Sequence, residues 1–443
     1  MKVLLAAAEI SPLVRTGGLG EAVAGLARAL VALGLDVTVA IPGYGTKAGK
    51  ALWKEIDLDG VDVAMFLDGR FDRPGVYGPR AGTGYEDNWE RFGVFSRAVA
   101  ELSSSFDILH LNDSHVGPAA LKASVPTVFT IHNASYALLG PLDETTSILG
   151  LTHVDAALGG PIEWYGEASF LKAGIVGADQ VTTVSPTHAR ELTQDPTGFG
   201  LAGVIRDLRS PIIGILNGID TDLWNPATDP ALEATFSAQD PRSRVGNRLA
   251  LLAELRIDDG FLLGNVGRMA MQKGLQLLDY DIDSLVEEGH RFVFVGNGEL
   301  DPVIDGWAAR HRRAIVHRPF TEELARRVFA GVDAYLMPSE YEPCGLGQMY
   351  AMRYGAPPIA HAVGGLADSV IDIDEDARAG TGFVFRSFHN ASLTKTIRRA
   401  GRYRTSMPEV WASAVAHGMS ADWSWAPSAA RYVELYREVA TVR

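Results

Sequence analysis

Apolar residues along this chain fall into two alternating patterns. Short continuous runs such as "KVLLAAA" (2–8) and "DVTVAIP" (36–42) have the character of strands covered on both faces. Between them Val23, Leu26, Leu30 and Leu33 recur three and four positions apart. That spacing predicts a helix from about Glu21, which Gly34 can end. Strand, helix and strand in this order form a βαβ unit, with its right-handed crossover and an open doubly wound sheet. The pattern repeats in "DILHLND", "TVFTIHN" and "ADQVTTVSPTHARELT", the last a strand with a helix starting near Ser185. "IIGILNGIDTDLWNPATDP" closes this half, and Pro226 to Asp240 reads as a linker.

A second series follows. "FLLGNVGRM" reads as a strand, "AMQKG" as a loop and "LQLLDYDIDSLVEEG" as an amphipathic helix. Four more strand-like runs come after it: "RFVFVGNGE", "RAIVHRPF", "DAYLMPS" and "PPIAHAVGG". Helices are expected in "TEELARRVFAG" and "LGQMYAMRYG". The aromatic-rich amphipathic stretch 422–443 has no strand after it, so it is expected to pack across a surface left open. The fold class is therefore α/β, with two doubly wound Rossmann-like domains. The expected boundaries are 1–225, completed by the helix 422–443, and 241–421.

Length supports two cores, since 443 residues exceed one ordinary domain. Charge narrows the partners. With 54 acidic against 40 basic residues the formal net charge is −14, which argues against nucleic acid or an anionic membrane as the main partner. A nucleotide remains open, because it needs only two or three local cations. Cys344 is the single cysteine, so no internal disulfide is possible and a reducing, cytoplasmic setting is expected. The opening apolar run is interrupted by Glu9, is too short to span a membrane and lacks the layout expected of a secretory signal.

Ligands of doubly wound sheets bind beyond the carboxyl ends of the strands, and polar and glycine-rich clusters fall there in both halves. The first half offers Glu9 with Arg15, Gly17 and Gly18, then Asn112 and Asp113 with His110 and His115, then His132 and Asn133, and finally Asn217 and Asp220. The second half offers Arg268 with Lys273, then Glu340 and Glu342 before Cys344, Gly345 and Leu346, then Gly364 and Gly365. Two cations bracketing a strand-to-helix loop suit a diphosphate, although both could be solvated surface charges. Glu342 could accept hydrogen bonds from sugar hydroxyls, or could cap the helix that follows. The two double glycines could turn backbone N–H groups towards an anion, or could simply make turns. For His132 alone, a structural role satisfied by a backbone carbonyl is the simpler reading. A metal at His110, Asp113 and His115 lacks a fourth ligand, and no metal is expected. There is no GxGxxG fingerprint, so hydride chemistry has no support.

Taken together, the stretches "EISPLVRTGGLGEAV", "DRPGVYG", "YEDNWERF", "TIHNASY", "SFLKAGIVGAD", "GILNGIDTDLWNPATDP", "EYEPCGLGQMYAMRYG" and "GGLADSV" resemble the bacterial glycogen and plant starch synthases, in order and over nearly the whole chain. The resemblance implies a retaining glycosyltransferase of the GT-B type with its site in an interdomain cleft. It implies a nucleotide-diphospho-glucose donor (ADP-glucose), the 4-OH of an α-1,4-glucan as acceptor, and no cofactor. It also implies that Arg268 and Lys273 neutralise the diphosphate and that Glu342 engages the transferred sugar. His132 would lie beside the anomeric carbon, Asp113 and Asn217 near sugar and acceptor, and Gly18 in a loop over the donor phosphates.

Departures gather at ligand-facing positions. Arg15 stands where the family has lysine, Ser114 where it has tryptophan, Gly267 for serine, Gly347 for threonine and Val363 for a polar residue. They keep an alternative open: a specialised relative coupling an activated sugar or cyclitol to an amino sugar or short oligosaccharide.

Overall fold

The computed structural model describes residues 1–47, 51–80 and 82–442. Arg443, the last position of the expected closing helix, lies outside them. The chain divides into two compact units, 1–218 with 425–443, and 219–424.

The first unit is built on an eight-stranded sheet. Its strands are β1 (Lys2–Ala6), β2 (Asp36–Pro42), β3 (Trp53–Leu58), β4 (Val61–Phe66), β5 (Ile108–Asn112) and β6 (Thr127–Ile131). A small separate sheet follows, of β7 (Leu139–Pro141), β8 (Glu163–Trp164) and β9 (Glu167–Ser169), before the main sheet resumes with β10 (Gln180–Thr183) and β11 (Ile213–Gly214). The main order is β11-β10-β6-β5-β1-β2-β4-β3, parallel except for the β3–β4 hairpin at the edge. Strand order reverses direction between β1 and β5, which makes the ends of these two strands the topological switch point.

Leu4, Leu109, Leu111 and Phe129 bury one face of this sheet under Phe92, Phe95 and Phe170, while Val3, Leu5 and Val128 bury the other under two helices. One of these is Gly18–Ala32, the helix expected from the three-four spacing. The other is Ala426–Val442, whose Tyr432, Val433 and Tyr436 join the same core. Contact between them is close because residue 25 is glycine: a Cβ there would lie 2.0 Å from Nε1 of Trp425.

The second unit holds β12 (Phe261–Val266), β13 (His290–Val295), β14 (Ile315–Arg318), β15 (Ala334–Met337), β16 (Pro358–His361) and β17 (Phe383–Phe385). They form an all-parallel sheet in the order β14-β13-β12-β15-β16-β17, with its switch point between β12 and β15. The segment read as a linker packs against this unit: Phe236 meets Tyr354 edge-on at 6.4 Å, and Arg326 bonds Asp229 at 3.2 Å. The single helix expected over 275–289 is divided into a 3-10 turn, Leu275–Leu278, and a short helix, Ile282–Glu287. Between them the side chains of Asp279 and Asp281 accept bonds from Trp307 and Thr394, which holds the chain out of a continuous helix. Leu275, Leu278, Ile282 and Leu285 still face the core, so the apolar periodicity survived the break.

Candidate active site

Both switch points carry the residues singled out above. In the second unit β12 leads into Gly267, Arg268 and the turn Met271–Lys273, and β15 leads into Ser339–Glu342. The turn is drawn against the second loop: Gly274 has φ +75°, and a Cβ on it would lie 1.9 Å from the Pro338 carbonyl oxygen. Glycine is required there on both counts. Glu340 N–H donates to the Gln272 carbonyl at 2.9 Å, and the Gln272 amide donates to the Tyr341 carbonyl.

This juxtaposition brings Lys273 Nζ to 2.5 Å from Glu342 Oε2, across 69 positions of sequence. Glu342 is only 7% exposed and also accepts from Ser339 Oγ at 3.0 Å. It does not cap the helix Gly347–Arg353, whose N-terminus has no side-chain cap. Arg268 is exposed and makes no hydrogen bond or ion pair among the described residues. The glycines of "HAVGGLADSV" are explained by packing. A Cβ on Gly364 would meet the Glu342 carbonyl oxygen at 2.0 Å and one on Gly365 that of Cys344 at 2.0 Å. The Gly365 N–H bonds the carbonyls of Glu342 and Pro343 at 3.1 and 3.0 Å, so it braces the Glu342 loop. Cys344 is buried, and Gly345 takes the left-handed conformation at φ +68°. Leu346 is half-buried where the next helix begins.

In the first unit the centre is Asp113, just after β5, with φ 64° and ψ 174°. That region is essentially reserved for glycine. Its Oδ1 accepts from the backbone N–H of His132 at 2.7 Å and of Asn133 at 3.2 Å, tying the ends of β5 and β6 together. Burial raises the Asp113 carboxyl to about 7, against the lowering effect of these two bonds. The His132 ring bonds Asn112 Oδ1 through Nε2 at 2.9 Å, and burial lowers its pKa to about 4, so the imidazole is neutral at pH 7. The partner is a side-chain carbonyl, in place of the backbone carbonyl expected. The Asn133 side-chain Oδ1 accepts from the Ser135 N–H at 3.0 Å and from its hydroxyl at 2.8 Å. Asn217 is buried, just past β11.

After β1, Glu9 is 2% exposed and bonds the N–H groups of Thr16 and Gly17, while Arg15 Nη2 lies 2.5 Å from Glu21. Gly17 is extended, at φ −153°, and a Cβ would meet nothing within 4 Å. Gly18 begins the helix. His110 and His115 do not join this group. His110 faces the opposite side, bonding Tyr436 at 2.7 Å and Thr130 at 2.6 Å, and His115 lies between Tyr77 and Phe92. No group of metal-binding side chains occurs among the described residues. Sequence reasoning placed Asn112 in the cluster after β5 without foreseeing its bond to His132, and passed over Ser339, three positions before Glu342.

Two Rossmann-like units, each with polar and charged side chains at its switch point, are the architecture of the GT-B glycosyltransferases, and the comparisons place the chain in that class. Residues 2–207 match the starch synthase catalytic domain model and 260–400 that of glycosyl transferases group 1. The chain is 38% identical to the glycogen synthase of Syntrophotalea carbinolica, over 99% of both proteins. It is also 38% identical to that of Aromatoleum aromaticum, over 98% of this chain and 96% of the relative. Among solved structures, the catalytic domain of starch synthase IV from Arabidopsis thaliana, bound to ADP and acarbose, superimposes with a TM-score of 0.86 at 31% identity, covering 99% of each chain. Sucrose-phosphate synthase from Thermosynechococcus elongatus shares the fold, with a TM-score of 0.65 at 18% identity over the whole of both chains. The chain belongs to the glycogen synthase family.

Proposed function

We propose that this enzyme transfers a glucosyl unit from ADP-glucose to the 4-OH of an α-1,4-glucan with retention of configuration. The observation that carries the reading is the Lys273–Glu342 pair at the switch point of the second sheet, with the unengaged Arg268 at the start of the same turn. Support for donor and acceptor comes from the relatives, glycogen synthases along their full length, and from the starch synthase that binds ADP and acarbose. These favour glucan synthesis over cyclitol or amino-sugar transfer.

In this reading the domain expected over 241–421, within the second unit, holds the donor, and the domain expected over 1–225 with 422–443 holds the acceptor. Arg268 and Lys273 stabilise the negative charge that gathers on the leaving diphosphate. Glu342, fixed by Lys273 and Ser339, offers its remaining oxygen to the sugar hydroxyls. As the C–O bond to phosphate breaks, the sugar becomes oxocarbenium-like, and the acceptor 4-OH attacks on the face just vacated. The departing phosphate oxygen takes the acceptor's proton, so no second carboxylate base is required. A neutral His132 suits this step, since a cation beside the anomeric carbon would raise the barrier. Arg15 and Gly17 would meet the donor phosphates, where the open space at Gly17 leaves room for a close approach. The expected partners exclude nucleic acid, and the expected location is the cytoplasm. Among the described residues no helix is long and apolar enough to cross a membrane.

Incubation with labelled ADP-glucose and glycogen tests the reading directly. Label in polymer that α-amylase releases is the expected result. Turnover only with a short amino-sugar acceptor, or only with another nucleotide sugar, would overturn it.

A further inference from the structure

Two blocks singled out in the sequence, "DRPGVYG" and "YEDNWERF", have no part in the chemistry above, yet the first unit ties both to the turn Arg15–Gly18. Both oxygens of Glu9 are engaged. Oε2 accepts from the N–H groups of Thr16 and Gly17, the latter at 3.3 Å, and Oε1 accepts from the Tyr77 hydroxyl at 2.5 Å. Tyr77 is held in its turn by the helix Asn88–Leu102. Asn88 Nδ2 donates to the Tyr77 carbonyl at 2.7 Å, and Arg91 Nη1 donates to the Val76 carbonyl at 3.2 Å and to Asn88 Oδ1 at 2.8 Å. The segment has little freedom to take another path: a Cβ on Gly75 would lie 2.1 Å from the Gly78 carbonyl oxygen, and one on Gly78 would lie 2.0 Å from that of Thr83. Arg91 is fully buried over the Phe71 ring at 4.8 Å, with Nε and Nη2 unbonded. Burying a guanidinium with so few partners is costly, and what it secures is the strand of loop that delivers Tyr77.

We propose that Glu9 is the positioning residue of the Arg15–Gly18 turn, with Tyr77 locking its carboxylate and Asn88 and Arg91 holding Tyr77. Glu9 then governs affinity for the nucleotide sugar without touching it, by keeping two backbone amides and the neighbouring arginine where the phosphates arrive. The proposal rests on the reading that this turn receives the donor's diphosphate.

Steady-state kinetics of the full chain test it, with ADP-glucose and glycogen varied in turn. Tyr77→Phe removes one hydroxyl and keeps the ring. It should raise the donor KM about tenfold, the scale of one hydrogen bond to a charged group. kcat, the acceptor KM and the melting temperature should stay near their starting values. Glu9→Ala should raise the donor KM further, and Glu9→Gln, which keeps one acceptor for the Thr16 and Gly17 amides, should recover part of the loss. Arg15→Ala serves as the control for the underlying reading. If Arg15→Ala raises the donor KM while Tyr77→Phe and Glu9→Gln do not, the latch is wrong and the phosphate turn stands. If neither Arg15→Ala nor the latch variants move it, the phosphate turn is wrong too. A rise confined to the acceptor KM in Tyr77→Phe would make Tyr77 a glucan contact and overturn the proposal.

Discussion

Asp113 holds a backbone conformation that costs on the order of 1–3 kcal/mol for a residue with a side chain and keeps it through two backbone bonds from the end of β6. Strain of this kind, at the mouth of a sheet, marks a position kept for what it arranges. Lys273 is the counterpart in the second unit. Lys273→Ala should lower kcat/KM by about 10²–10³, the scale of one charge-stabilising donor in a water-poor site, with the fold intact by circular dichroism. A kcat/KM within twofold of the parent would remove Lys273 from the chemistry.

The buried histidines set a pH response. Burial lowers His110 and His115 to about 3 and His132 to about 4, below the ordinary value near 6.5. Between that value and their folded pKa the unfolded chain binds more protons, so stability is present above pH 6.5 and falls as the pH drops towards 4. Asp113, raised to about 7, works in the opposite sense. Its folded form holds a proton between pH 4 and 7 that the unfolded form releases, which offsets about one histidine. The melting temperature should therefore fall on acidification from pH 7 to 4.5, and His110→Gln should shallow that fall. An equally steep profile in the variant would mean that other groups set it. Residue identities near both switch points were legible in the sequence, because strand ends there carry Asp113, His132, Lys273 and Glu342. Pairing was not. The Lys273–Glu342 contact depends on β12 and β15 being neighbours, and the direction of His110 depends on which face of β5 meets the helix Ala426–Val442.

At the scale of elements, continuous apolar runs identified most of the parallel strands, β2 to the residue, because strands covered on both faces carry few polar positions; β4 and β17, also parallel to a neighbour, were not read. The edge hairpin β3–β4 was missed. β3 has no fully buried residue, so it lacks a continuous apolar run, and the turn at Asp59 and Gly60, both at positive φ, is what announces the hairpin. The hairpin β8–β9 escaped for a similar reason, with strands of two and three residues around Tyr165 and Gly166. The helix expected over 275–289 failed differently: periodicity reports which side faces the core and says nothing of a break bridged by side-chain bonds. Loop geometry yields a prediction here. Gly274→Ala would force a Cβ into the Pro338 carbonyl at a φ that alanine resists, shifting the Lys273 turn. Activity should fall more than stability, by comparison of kcat/KM with denaturant midpoints. Loss of stability with full specific activity in the folded fraction would show that the turn tolerates the shift.

For the whole molecule, two series of βαβ units were readable as two Rossmann-like sheets, down to the aromatic stretch expected to cover an open surface. The covering is specific. Trp425 fits over Gly25, and Tyr436 bonds the buried His110 at 2.7 Å. Tyr436→Phe should cost about 1–3 kcal/mol, the penalty for leaving a buried polar partner unsatisfied, measured by urea unfolding of the full chain. A change below about 0.5 kcal/mol, the level of an ordinary surface substitution, would mean that His110 finds another partner.

The chain enters the second unit after residue 218 and returns to the first after 424, so residues 219–424 form an insertion within the first unit's own sequence. During synthesis, β1 and its neighbours leave the ribosome early but lack Trp425, Tyr432 and Tyr436, which complete one face of their sheet. The inserted unit draws its last core residues, Trp411 and Ala414, from a helix that ends at Ser420, so the uncovered face of the sheet made first closes only after the whole second unit has been synthesised.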